Sequence, residues 1–232
     1  MSDPVDPVKE LTALYDAINH DAPTRRQAEL RRAGNAVRGI IERLVATQAP
    51  DDEVAVLADQ LQELLDGLAP WPGRHPYGFA ESSVSGHPTG FLDNSPVMGE
   101  ANPLAPPLKM AIDGAMVVGT VRFGSAYEGP PGCVHGGWIA ATFDEVLGTA
   151  QGMMGLMGMT GTLSVRYQKP TPLHQELRFE GELVRQEGRK IYTIGRCFAD
   201  GRITAEADAL FISVDFSKIA ELFANRPPAG QE

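Results

Sequence analysis

The sequence predicts an α+β architecture, with helices first and then an antiparallel sheet gathered around one long helix. Three observations lead there. Up to about Leu68, apolar residues recur at helical spacing. From Leu108 onward, short alternating runs are separated by turn signals. Between two such runs lies "GPPGCVHGGWIAATFDEVLG", Gly129 to Gly148, which reads as a helix opened by glycines.

Taken in order, the helical region runs from about Asp6 to Leu68. Leu30, Val37, Ile40, Ile41, Leu44 and Val45 share one face, and Val54, Leu57, Leu61, Leu64, Leu65 and Leu68 share another. "DAPT" and "APDD" punctuate the runs, with acids opening the second, where the helix dipole favours them. A helical hairpin packed on a neighbour is the expectation. The next stretch, up to Pro107, turns to Pro, Gly, Ser and Asn, which is loop chemistry on a scale that suits a lid or a wrap. The expected divisions are therefore 1–69 for a helical extension, 70–107 for a long loop and 108–232 for the sheet-and-helix domain.

Within that last part, "AMVVGTVRF", "TLSVRY", "LRFEGELV", "IYTIGRCFA" and "ITAEADALFISV" read as strands. Leu177, Phe179, Gly181 and Leu183 alternate with Arg178, Glu180 and Glu182, as on a half-buried strand. "EGRK" and "ADGR" join consecutive strands, and Asp200-Gly201 is a strong hairpin signal. A short helix is expected from Ile219 to Phe223.

The 232 residues suffice for one generous domain or a domain with an appendage. A formal charge of -10 argues against general affinity for nucleic acid or anionic membrane. No run of about eighteen apolar residues suggests a membrane span, and "MSDPVDPVKE" does not read as a signal peptide. Cys133 and Cys197 are far apart and read as reduced thiols, which points to a cytoplasmic location. The five histidines show no metal-ligand spacing, and "SSVSG" lacks the first glycine of a nucleophile elbow. Cys133 reads as a small buried thiol rather than a nucleophile.

On a helical wheel, Ile139, Phe143, Val146 and Ala150 form the core face of the glycine-opened helix. Asp144 falls beside Gly137, Ala140, Ala141 and Gly148, so a ligand or another backbone can come close to it. Glu145 lies next to Trp138 and is expected to be the more solvated of the two acids. The first N–H groups of the helix have no internal partner, and glycine there lets a carbonyl approach and be polarised. Activating end and carboxylate are two parts of an acyl-transfer site. Turn-forming glycines and a solvated aspartate account for the same residues, and spacing alone leaves both readings open.

Several motifs in order add to this. "EGPPGCVHGGWIAATFDEVLGT", "MTGTLSVRYQKPTPL", "EGRKIY" and "EADALFISV" together resemble the hotdog-fold acyl-CoA thioesterases, in the branch of the phenylacetate-pathway and mammalian thioesterase-superfamily enzymes. The resemblance spans roughly Leu108 to Val214. It implies a sheet wrapped around one helix and hydrolysis of an acyl-CoA, with no cofactor beyond the coenzyme A of the substrate. It implies that Asp144 is the catalytic carboxylate, acting as nucleophile or general base. It further implies that the Gly136 N–H polarises the thioester carbonyl and that His135 shapes this oxyanion site. Thr160 would supply a hydroxyl from the partner subunit, with Thr162 on the same strand face as the alternative. The implied assembly is a homodimer or a dimer of dimers. Arg189, Lys190 and Lys169 are candidate contacts for coenzyme A phosphates, or equally solvated hairpin charges. The run "GMMGLMGMTG" suits an adaptable acyl pocket or a pliable helix end. A non-catalytic acyl-CoA sensor on the same fold is the second reading, and a hotdog hydratase, whose Asp and His arrangement is not found here, the third.

Overall fold

The computed structural model of the chain describes residues 6–71, 92–155 and 158–214. Helices α1 (Pro7–His20), α2 (Arg25–Val45) and α3 (Asp51–Asp66) come first, followed by β1 (Lys109–Asp113) and β2 (Met116–Arg122). Helix α4 (Gly136–Gln151) leads into β3 (Gly158–Tyr167), β4 (Glu176–Glu187), β5 (Lys190–Ala199) and β6 (Arg202–Ser213). The strands form one antiparallel sheet in the order β1-β2-β4-β5-β6-β3, so β1 and β3 are its edges. The expected helix at 219–223 lies outside the described residues, as does 72–91 of the long loop. No described helix is long and apolar enough to cross a membrane.

The expected strands form, and their turns use the expected chemistry. Asp200 (φ 48°) and Gly201 (φ 72°) both take the left-handed conformation between the paired residues Ala199 and Arg202, as a tight hairpin requires. One strand, β1, is an addition. Its five residues, "KMAID", are too few for alternation to be recognised.

Helix α4 lies against the inner face of the sheet. Ile139, Phe143, Val146 and Ala150 are buried as the wheel predicts, and Phe143 meets Phe179 edge-on with ring centroids 5.0 Å apart. Missing side chains on the strands make room for this contact. A Cβ at Gly181 would sit 2.8 Å from a Val146 methyl, and one at Gly195 would sit 3.1 Å from Phe143 and Leu147.

Helix α1 closes the β1 edge. The buried Tyr15 shares a 2.9 Å hydrogen bond with Thr149 of α4, and the Asn19 amide donates to the Met110 carbonyl. Helix α2 departs from its expected packing. Leu30, Val37, Leu44 and Val45 of its apolar stripe remain 42–58% exposed. The neighbouring polar face docks instead. Arg31 pairs with Asp93 at 2.8 Å, and Arg38 donates to the carbonyls of Ala105, Glu100 and Asn102. Gly34 lies against the Glu100 and Ala101 carbonyls, where a Cβ would come within 2.8 Å of both. These contacts bind residues 92–108 to the helix. On α3, Val54, Leu57 and Leu61 are half-buried while Leu64, Leu65 and Leu68 are exposed.

Candidate active site

The loop before α4 is held from several sides. The Tyr127 carbonyl accepts the His135 N–H at 2.9 Å, and the Thr171 carbonyl accepts the Val134 N–H at 2.8 Å. His135 is the N-cap, with Nδ1 accepting the Gly137 N–H at 3.0 Å. That bond places the proton of a neutral ring on Nε2. The Gly136 N–H is left without an acceptor among the described residues, at the positive end of a sixteen-residue helix. Tyr167, at the end of β3, donates its hydroxyl to the Gly136 carbonyl at 2.7 Å. A Cβ on Gly136 would sit 3.2 Å from this phenol. Sequence reasoning missed Tyr167, because a bond to a backbone carbonyl leaves no trace in the identity of its acceptor.

Two turns along α4 lies a second station. Thr160 of β3 donates to Asp144 Oδ1 at 2.7 Å, and no hydrogen bond to Oδ2 is seen among the described residues. Donor and acceptor belong to one chain, whereas the resemblance implied a hydroxyl from the partner subunit. Thr162 is also not on the same face. A β-bulge at Gly161 sets Thr160 opposite the buried Phe211 and Thr162 opposite Leu210. The extra residue turns Thr160 toward α4 and Thr162 away from it.

Glu145 corrects another expectation. It is not the freely solvated acid of the pair: burial, aided by the charge of Asp144, pushes its carboxyl up to about 7. Tyr15 of α1 reaches this side of α4, bonded to Thr149 one turn beyond Glu145 and close enough to feel its charge.

The two stations are far apart. Gly136 and Asp144 are separated by eight residues, about 12 Å along the helix axis. The basic candidates divide in the same way. Arg189 and Lys190 are exposed at the end of the sheet that holds Thr160, where Lys190 pairs with Ile212 and Ile191 with Phe211. Lys169 is exposed at the other end, two residues beyond Tyr167. Ten-residue β3 separates them by roughly 30 Å. Of the methionine run, Met153 is buried, Met154 and Met159 are exposed, and Leu156 and Met157 lie outside the described residues. Cys133 is half-buried, with its thiol on the Pro131 carbonyl at 3.5 Å.

Comparison with known proteins places this arrangement. A solved protein of the thioesterase superfamily is 34% identical and superimposes with a TM-score of 0.68, over 79% of this chain and 94% of its own. This chain belongs to the thioesterase superfamily. The thioesterase superfamily model itself matches residues 131–205, the span from the helix-opening loop to β6. Acyl-coenzyme A thioesterase THEM4 of Xenopus laevis is 39% identical over 95 residues, 39% of this chain and 42% of that protein. Its Mus musculus counterpart is 38% identical over 94 residues, 39% of this chain and 40% of that protein. The match thus spans about two fifths of the length of these curated relatives.

Proposed function

We propose that this chain hydrolyses acyl-CoA thioesters, at sites each assembled from two copies of it. One observation carries the reading. An acceptor-free helix N-terminus and an oriented carboxylate lie on one helix but about 12 Å apart. A carbonyl within 3 Å of the Gly136 N–H is out of reach of Asp144 on the same chain. Two antiparallel copies of α4, crossing near Ala140, would set Gly136 beside the partner subunit's Asp144. The small residues Gly137, Ala140, Ala141 and Gly148 permit such an approach. The same two-fold axis would bring Lys169 toward the partner subunit's Arg189 and Lys190, gathering cations for the coenzyme A phosphates.

The β3 edge supports this assembly. Met159 and Tyr167 are exposed along it, and its outer backbone groups have no strand beside them among the described residues.

In this site the thioester carbonyl accepts the Gly136 N–H, whose dipole stabilises the oxyanion. Oδ2 of the partner subunit's Asp144 takes a proton from water as it attacks, or attacks the carbonyl itself to form a mixed anhydride. Thr160 holds Oδ1 and so fixes the plane of the carboxylate. The tetrahedral species collapses with release of the coenzyme A thiolate, which takes up the proton held by Asp144 in the first route; in the second, water then hydrolyses the anhydride to the free acid and restores the Asp144 carboxylate. No cofactor enters, since coenzyme A arrives as part of the substrate.

The test is thiol release from short, long and aromatic acyl-CoAs. Asp144→Ala should lower kcat roughly 10²- to 10⁴-fold in a folded protein. Gly136→Pro removes the N–H at a helix position that tolerates proline and should be similarly impaired. Mixing the two inactive chains should restore about a quarter of wild-type activity, because half the dimers then hold one intact site. A mixture that stays inactive would sink the composite site. Binding of every acyl-CoA without turnover by wild type would point instead to a sensor.

A further inference from the structure

We infer that Glu42 of α2 is a positioning residue for the Gly136 N–H: its carboxylate fixes the turn at 125–127, and that turn fixes His135. The inference rests on the thioesterase reading for its kinetic consequence, but not for its geometry.

Glu42 sits on the helical extension, yet its side chain is engaged with the sheet domain. Its two carboxylate oxygens accept the backbone N–H groups of Ser125 at 2.7 Å and Ala126 at 3.1 Å. The approach is close: a Cβ at position 124 would lie 2.5–2.7 Å from the carboxylate atoms, so a side chain there would displace the carboxylate from the turn. The Ser125 hydroxyl also lies 3.2 Å from His174 Nε2. No lysine or arginine forms an ion pair with Glu42 among the described residues, and Arg38, one turn earlier, is engaged with carbonyls of 100–105. A helix that only needed to pack could use an apolar residue here. A carboxylate spread over two backbone donors is directional, and it sets where the turn stands.

The turn hands that position on. The carbonyl of its last residue, Tyr127, accepts the His135 N–H at 2.9 Å. The Tyr127 ring meets Trp138 in the first turn of α4 edge-on, with centroids 4.9 Å apart. Its hydroxyl donates to the Leu104 carbonyl at 3.0 Å, in the segment that Arg38 also holds. Further along the loop, a Cβ on Gly129 would fall 2.8 Å from His135 Cα, so little slack remains between turn and helix. From the Glu42 carboxylate to the Gly136 peptide there are two hydrogen bonds and a short length of chain. Misplacing an oxyanion donor by a fraction of an ångström costs rate rather than ground-state binding, so the effect belongs in kcat.

The experiment uses the full chain, labelled with ¹⁵N-glycine, as wild type, Glu42→Ala, Glu42→Gln and Arg38→Ala. Arg38→Ala loosens the same helix from residues 99–105 without removing either hydrogen bond from Glu42 to the turn. Glu42→Ala should lower kcat for acyl-CoA hydrolysis roughly 10- to 100-fold, with KM within about twofold. Glu42→Gln, which keeps one carbonyl acceptor, should fall between it and wild type. The Gly136 and Gly137 amide resonances should shift in both Glu42 variants. Arg38→Ala should lower the melting temperature and leave kcat within about twofold. A folded Glu42→Ala with unchanged kcat, or an equal kcat loss in Arg38→Ala, overturns the inference. Should Glu42→Ala not fold, Glu42→Gln decides by the same criteria. A wild type that turns over no acyl-CoA defeats the thioesterase reading alone. The amide resonances then settle the clamp, and their failure to move overturns it.

Discussion

Helices α4 and α2 each carry an apolar stripe, yet they dock by opposite means. Helix α4 buries its stripe completely against the sheet, meeting β2, β3, β4, β5 and β6, and leaves Asp144 and the Gly136 N–H on its remaining surface. Helix α2 keeps much of its stripe in contact with solvent and docks through Arg31, Gly34, Arg38 and Glu42. The apolar contact on α4 is tolerant of direction and supplies stability. The polar contact on α2 is directional, and it places a loop. Apolar periodicity reveals that a helix has two faces, but it does not say which one meets the protein.

The sharpest way to break this comparison is a pair of truncations. Phe143→Ala on α4 should destabilise the fold by about 3–5 kcal/mol. Leu44→Ala on α2 should cost far less, no more than about 1 kcal/mol, because the side chain is 42% exposed. Denaturant titration reads both, and equal losses would mean that the α2 stripe is covered in solution.

A second pair lies within α2 alone. Gly34→Ala forces a methyl against the Glu100 and Ala101 carbonyls and should cost about 1–3 kcal/mol. Gly39→Ala meets nothing within 4 Å and should stabilise the helix by about 0.5–1 kcal/mol. Thermal melts showing the same sign for both would contradict polar docking through the Gly34 face.

The smaller effect concerns pH and α4. Glu145 is raised from 4.5 to about 7 in the folded chain, so the folded state holds a proton that the unfolded state has lost. Stability should therefore decline as pH rises from 4.5 to about 7 and level off above it. The half-buried position limits the change to roughly 1–2 kcal/mol. Glu145→Gln should remove this part of the decline, and an unchanged profile would show that Glu145 is ionised throughout. Glu42 has the opposite sign. Burial disfavours its charge, but the N–H groups of Ser125 and Ala126, the Ser125 side chain and His174 outweigh it and hold the carboxyl below its usual range. Its contribution is present above the ordinary glutamate range and disappears as pH falls through the lowered value.

Much of this was legible in the residues. The alternation of Leu177, Phe179 and Gly181 located β4, Asp200-Gly201 fixed a hairpin, and the wheel through Phe143 gave the buried face of α4. These signals are local or periodic. The features that escaped depend on which backbone atom comes near from elsewhere in the chain. Glu42 meets two amides more than eighty residues away, Tyr167 meets the Gly136 carbonyl, and Arg38 meets three carbonyls of the 100–105 segment. Any residue can offer an N–H or a carbonyl, so composition does not mark these sites. The bulge at Gly161 escaped for a related reason. Strict alternation places Thr160 and Thr162 together, and only the pairing with β6 shows the extra residue that parts them.

The unpaired edge of β3 has a consequence for how such a protein is assayed. Under the two-chain reading, its activity obeys mass action. At dilutions below the dissociation constant of the pair, total activity would fall with the square of subunit concentration and specific activity in proportion to it, although every chain remained folded. Rate per chain plotted against protein concentration would then be a curve and not a flat line, and the amount of protein in a cell would set its efficiency as well as its total output.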